Sequence, residues 1–195
     1  MSLKLKDLIN IGIYAAIYFV MVGIAALICV FLIPGYSYVY IPVPTALISG
    51  TVFMLAAARI QKFGAITIMA TVMGLFFFVS GLFPNAILPA VLFGLLADSI
   101  AYIFKYKSKK GLLLSYVVFA FSNIGPIIPM IINPESYAIQ LADRGKDASY
   151  ISAAFSSLLD NTWLIVIIGT IIAAIIGGLF GQKMVRKHFK KAGIV

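Results

Sequence analysis

The chain has 195 residues, of which 63% are hydrophobic and only 11% charged, with a mean hydropathy of +1.09 and a formal net charge of +9. Soluble domains carry about a quarter charged residues, so a soluble globular protein is excluded and an all-α integral membrane protein is expected. The positive charge does not point to nucleic acid, because the basic residues are spread over the ends of apolar runs without a nucleic-acid motif, where lysines meet anionic lipid headgroups.

The first apolar run, residues 8–33, exceeds the roughly 20 residues needed to cross about 30 Å of hydrocarbon, so it must tilt or project before Pro34-Gly35 stops it. Its length, and the lack of a small-residue cleavage site after a short apolar core, argue against a removed signal peptide. Near its start Gly12 and Ala16 lie four residues apart with Ala15 beside them, a small-residue patch of the kind that lets another helix approach closely.

The loop from Pro34 to Pro44 is uncharged and places Tyr36, Tyr38 and Tyr40 at alternate positions. In an extended segment all three would point the same way. That suits a lid stacking on a planar ligand, and equally the aromatic belt at a membrane interface.

A second span over 44–58 turns at Arg59-Ile-Gln-Lys62 into a third over 63–80, both short for full crossings. The fourth, 84–106, opens with Pro84 and Asn85 and ends in a run of lysines. It carries Asp98, the one carboxylate placed inside a span, where an ionisable group is costly unless it is paired or functional. An ion pair with Arg59 would hold the fourth helix to the second–third turn; a proton relay is the alternative. The fifth span, 111–132, holds Asn123 just before Pro126 and Pro129.

Residues 133–157 form the only long polar segment, expected as a partly helical outer loop, and the sixth span covers 160–183. Asp160 and Asn161 at its start suit either an N-cap or a ligand contact, with Trp163 beside them. Gly169, Ala173, Gly177 and Gly181 follow at four-residue spacing, a strip for packing within the bundle or for docking another protein.

With these spans laid out, every Lys and Arg except Arg144 and Lys146 falls on one side. Basic flanks are retained in the cytoplasm, so a single six-helix domain with both termini cytoplasmic is predicted in the cell membrane. Asn85, Asn123, Asp160, Asn161, Trp163 and the three loop tyrosines then converge at the outer face, as a half-open pocket able to orient a small polar or heteroaromatic molecule.

Catalytic chemistry has little to work with. The acidic residues are Asp7, Asp98, Glu135, Asp143, Asp147 and Asp160, with His188 in a basic tail and Cys29 alone in an apolar run. There is no HExxH, GxSxG or Walker A pattern, so no enzyme activity, metal or cofactor is expected, and active transport must draw on an ion gradient or on another subunit.

Six short helices, cytoplasmic termini, a small-residue motif early in helix 1 and a capping first outer loop resemble the substrate-binding S component of energy-coupling factor (ECF) transporters. The segments Asp7-Leu-Ile-Asn-Ile-Gly-Ile-Tyr-Ala-Ala-Ile-Tyr-Phe-Val20 and Gly94-Leu-Leu-Ala-Asp-Ser-Ile-Ala-Tyr-Ile-Phe-Lys-Tyr-Lys107 are most similar to the Trep-Strep branch. The resemblance implies capture of a vitamin-like micronutrient and docking on a transmembrane coupling protein with two ATPase subunits, in an ABC-type importer. Helix 1 of such proteins carries Ala-xxx-Ala at that contact, matched here by Gly12 and Ala16 with glycine in the first place. The rival readings are a self-sufficient secondary transporter or channel, and a structural membrane subunit without a ligand.

Overall fold

The computed structural model describes residues 3–32, 37–79, 87–156 and 161–189. Their regular structure is helical throughout: α1 (Leu5–Leu32), α2 (Ser37–Tyr40), α3 (Pro42–Ile48), α4 (Gly50–Ile60), α5 (Ala65–Val79), α6 (Ile87–Ile103), α7 (Lys109–Ala120), α8 (Ile128–Ile132), α9 (Pro134–Asp143), α10 (Ala148–Ser156) and α11 (Thr162–Met184). A 3₁₀ turn (Phe121–Ile124) follows α7, and a π turn (Val185–Phe189) follows α11.

Two stretches, Leu5–Leu32 and Thr162–Lys187, are long and apolar enough to cross a bilayer singly. A third crossing is available if α3 and α4, bent by 54° at their junction, act as one. Helices α5 and α6 are apolar but shorter; at about 1.5 Å per residue α5 extends only about 22 Å. Outward faces carry residues as apolar as the core, such as Ile165, Ile168, Ile172, Ile176 and Phe180 on α11, which is the surface a helix presents to lipid rather than to water.

The helices close a ring of neighbours: α1 lies against α3, α4 and α5, α5 against α6, α6 against α7, and α7 against α11, which returns to α3 and α4. Inside it, Tyr18, Phe53, Tyr116 and Phe119 interlock, with Phe53 4.9 Å from Phe119 and Tyr18 5.2 Å from Phe119 between ring centroids, while Met54, Met69 and Met73 fill the gaps between them. A second, smaller core joins Val39, Ile127, Met130, Tyr137, Leu141 and Val166 under α9 and α10.

Two expectations change here. The second span does not run unbroken from residue 44 to 58: it starts at Pro42, where a ring-fixed φ suits a first helical turn, and breaks at Ser49. Two carbonyls just before the break accept from side-chain hydroxyls. Thr45 O accepts from the Ser49 amide and hydroxyl, the latter at 2.6 Å, and Ala46 O accepts from the Tyr116 hydroxyl at 2.6 Å. The fifth span is divided in turn, because Pro126 and Pro129 lack the amide hydrogens a continuous helix requires, leaving α7, a 3₁₀ turn and α8. The expected outer loop is mostly the two helices α9 and α10.

The glycine strip of α11 lies inside the bundle, where it makes room for the break. A Cβ at Gly177 would stand 2.5 Å from Ala46 O, one at Gly181 2.5 Å from Gly50 O, and one at Gly50 would strike Gly177 O. Backbone meets backbone at the point where α3 turns into α4.

A candidate ligand cavity around Asn123

The 3₁₀ turn after α7 brings Asn123 into the ring, 4% exposed. Its Nδ2 donates to the Tyr18 hydroxyl oxygen across 105 residues of sequence, and the Ser49 and Ser122 hydroxyls stand beside the same oxygen. Ser49 also contacts the Tyr116 hydroxyl at 3.1 Å. This polar thread ties α1, the α3–α4 break, α7 and the 3₁₀ turn together. It leaves groups over: Asn123 Oδ1 and, in the same turn, Ser122 Oγ are buried and have no hydrogen-bond partner. An unsatisfied buried acceptor costs roughly 1–3 kcal/mol.

Beside Asn123 lies a cavity of about 330 Å³, walled by Phe19, Val22, Gly23 and Ala26 of α1, Phe76 and Phe77 of α5, Ile41 and Pro42 at the start of α3, and Pro126 and Ile127. The volume is that of a small-molecule site, and the make-up, apolar walls with a single placed amide, is usual for one. These wall residues sit at the ends of α3 and α5 remote from Arg59, Lys62 and Lys105–Lys110. A second groove of about 490 Å³ lies between α6, α8 and α9, where Asn133 Oδ1 accepts from the Ser136 amide at 3.0 Å and Gln140 donates to Ser136 Oγ at 3.3 Å. A third, of about 370 Å³, opens among Gln61, Lys107, Lys109, Gln182 and Arg186 at the basic end.

Of the predicted ligand residues, Asn123 lines the first cavity. Tyr40 and Trp163 pack on the smaller core, which shares Ile127 with that cavity. Asn161 is exposed at the start of α11 and makes no side-chain cap bond. Tyr36, Asn85 and Asp160 lie outside the described residues, and Tyr38 is described in its backbone only. The sequence reading missed Phe19, Phe76, Phe77 and Tyr18, whose apolar runs carry no signal that separates cavity wall from core.

The predicted Arg59–Asp98 ion pair is replaced by another arrangement. Asp98 is fully buried, and its Oδ2 accepts from the Gly64 amide (2.7 Å), the Thr67 amide (3.1 Å) and Thr67 Oγ1 (3.0 Å), while Oδ1 accepts from the Tyr106 hydroxyl (2.6 Å). Arg59 lies beside the Tyr14 hydroxyl of α1. The reason is geometric. The free amides at the start of α5 point at Asp98, and a helix N-terminus stabilises negative charge. The carboxylate also balances strain, since Lys105 and Tyr106 both hold positive φ, 52° and 55°, a conformation costing about 1–2 kcal/mol per residue. At the same end Lys62 Nζ pairs with Asp7 Oδ2 at 2.6 Å, fastening α1 to the α4–α5 turn.

On α1, Gly12 and Ala16 are exposed, and a Cβ on Gly12 would meet nothing within 4 Å. Ala15, predicted with them as a docking residue, turns inward at 2% exposure. Helical spacing places it on the buried face with Ile11, Tyr14, Tyr18 and Val22.

Among the described residues no group of three or more His, Cys, Asp or Glu side chains stands together to hold a metal. Apolar helices joined by short turns around a ligand-sized cavity define an all-α integral membrane protein. The family described as "Hypothetical bacterial integral membrane protein (Trep_Strep)" matches residues 5–191, and the chain belongs to it. No curated protein and no solved structure matches the chain.

Proposed function

We propose that this protein is the substrate-binding S component of an ECF-type ABC importer, catching a vitamin-like or other small micronutrient in the Asn123 cavity. The carrying observation is that cavity: ligand-sized, buried in the half of the bundle away from the lysines, with an amide oxygen that lacks a partner. In this reading the protein spans the plasma membrane six times, as α1, the bent pair α3–α4, α5, α6, α7 with α8, and α11. Both termini and the lysine-rich turns are cytoplasmic, and α9 and α10 are outside. The protein is not an enzyme; ATP hydrolysis belongs to two ATPase subunits, reached through a transmembrane coupling protein. The exposed Gly12 and Ala16 offer that protein a small-residue surface, and neither nucleic acid nor a cofactor takes part.

Engagement of Asp98 by four hydrogen bonds favours a structural role for it over a proton relay, and so favours this reading over a self-sufficient secondary transporter. The decisive experiment is uptake into proteoliposomes of whatever small molecule copurifies and is identified by native mass spectrometry. Accumulation that requires the coupling protein, both ATPases and ATP is the expected result. Accumulation by this chain alone would overturn the proposal.

A further inference from the structure

The walls of the Asn123 cavity also limit what it can hold, and from which direction. We infer that its ligand is an uncharged, lipophilic ring compound carrying a hydrogen-bond donor, and that it enters from the bilayer between α1 and α5; the inference rests on reading this cavity as the substrate site.

Charge is the first constraint. Among the described residues no Lys, Arg, His, Asp or Glu lines the cavity, and an ion taken out of water among these walls finds nothing on them to compensate its lost hydration. Shape is the second. Phe19 and Phe76 meet edge to face at 4.4 Å between centroids, with Phe77 next to them, so one wall is a set of ring faces and edges suited to another ring. Polarity is the third. Asn123 Nδ2 is committed to Tyr18, and Oδ1 is an acceptor without a donor, which selects a ligand bearing N–H or O–H over one that only accepts.

The route follows from the burial of the walls. Val22, Phe77 and Asn123 are buried, while Phe19 and Phe76 are each 40% exposed and Gly23 is exposed. The cavity therefore opens on the outer flank of the ring, between α1 and α5, where the neighbouring helix faces are apolar. A Cβ on Gly23 would meet nothing within 4 Å, which marks open space at this mouth and lets a larger side chain be placed there without disturbing the core.

Binding of three probes to the full chain in nanodiscs tests this: 2-naphthol, which donates a hydrogen bond; 2-methoxynaphthalene, which cannot; and 2-naphthoate, which is charged. Saturable one-site binding of 2-naphthol is expected, with 2-methoxynaphthalene weaker by about tenfold, equivalent to about 1.4 kcal/mol, and no saturable binding of 2-naphthoate. Asn123→Leu should erase the tenfold difference. Should that variant not fold, Gly23→Phe serves, with 2-naphthol association slowed at an unchanged melting temperature. Equal or tighter binding of 2-naphthoate, a donor preference that survives Asn123→Leu, or an unchanged association rate in Gly23→Phe would each overturn the inference. If a charged molecule copurifies and is taken up with ATP, the transport reading stands and the substrate class falls. Donor-selective naphthol binding without ATP-dependent uptake of any copurifying molecule sinks the transport reading and leaves the cavity chemistry standing.

Discussion

Asp98 is a buried carboxylate whose four recorded hydrogen bonds come from neutral donors, and its removal should be felt in stability first. Asp98→Ala leaves the Gly64 and Thr67 amides and the Tyr106 hydroxyl without an acceptor, and a loss of about 3 kcal/mol or more is expected in detergent unfolding. Asp98→Asn should be milder, because the Tyr106 hydroxyl can turn to accept from the new amide. If Asp98→Asn instead kept full stability but stopped substrate movement, a proton-relay role would return. That Asp98 needs partners was legible in the sequence from its position inside an apolar helix. Its partners were not: the Gly64 and Thr67 donors are mostly main chain, and any residue brings an amide. The Tyr18–Asn123 bond was hidden for a different reason, since only packing joins positions 105 apart.

Among the elements, the junction of α3 and α4 against α11 is where side-chain volume is least tolerated. Gly177→Val would drive methyl groups into the Ala46 and Leu47 carbonyls, and because neither helix can withdraw without losing the rest of its contact, a cost upward of about 3 kcal/mol is expected. Thermal unfolding in detergent, or failure to recover folded protein, checks this. Gly12→Ala on α1 should do the opposite. Its Cβ meets nothing, and alanine is favoured over glycine inside a helix by about 0.5–1 kcal/mol, so the isolated chain should melt higher. Gly12→Leu should keep the fold and the ligand while abolishing uptake with the coupling module; unimpaired uptake would remove Gly12 from the proposed docking surface. The four-residue glycine rhythm of α11 was visible in sequence as a close-contact strip, but what it contacts was not. The break at Ser49-Gly50 has no proline at the junction itself and is held open by Tyr116 and α11 from elsewhere in the chain.

For the whole molecule, hydropathy alone gave the all-helical membrane class, because a chain in lipid must satisfy its backbone within its own helices. Hydropathy could not resolve the end of the bundle remote from the lysines, where α2, α8, α9 and α10 are short and held together by the smaller core rather than by apolar length. The proposed orientation has a direct test. With Cys29, the sole cysteine, changed to alanine, a cysteine placed at Asp147 should react with a membrane-impermeant maleimide on intact cells. One at Lys110 should react only after permeabilisation. The reverse pattern would invert the topology and place the Asn123 cavity in the cytoplasmic half.

The 54° junction has an electrical consequence. In many transporters the interrupted helix leaves bare carbonyls that coordinate sodium or another coupling ion. Here the Thr45 and Ala46 carbonyl oxygens accept from the hydroxyls of Ser49 and Tyr116, so these two carbonyls are not bare. Ligand affinity should therefore be the same in sodium, potassium and choline buffers, and titrations in the three salts should superimpose.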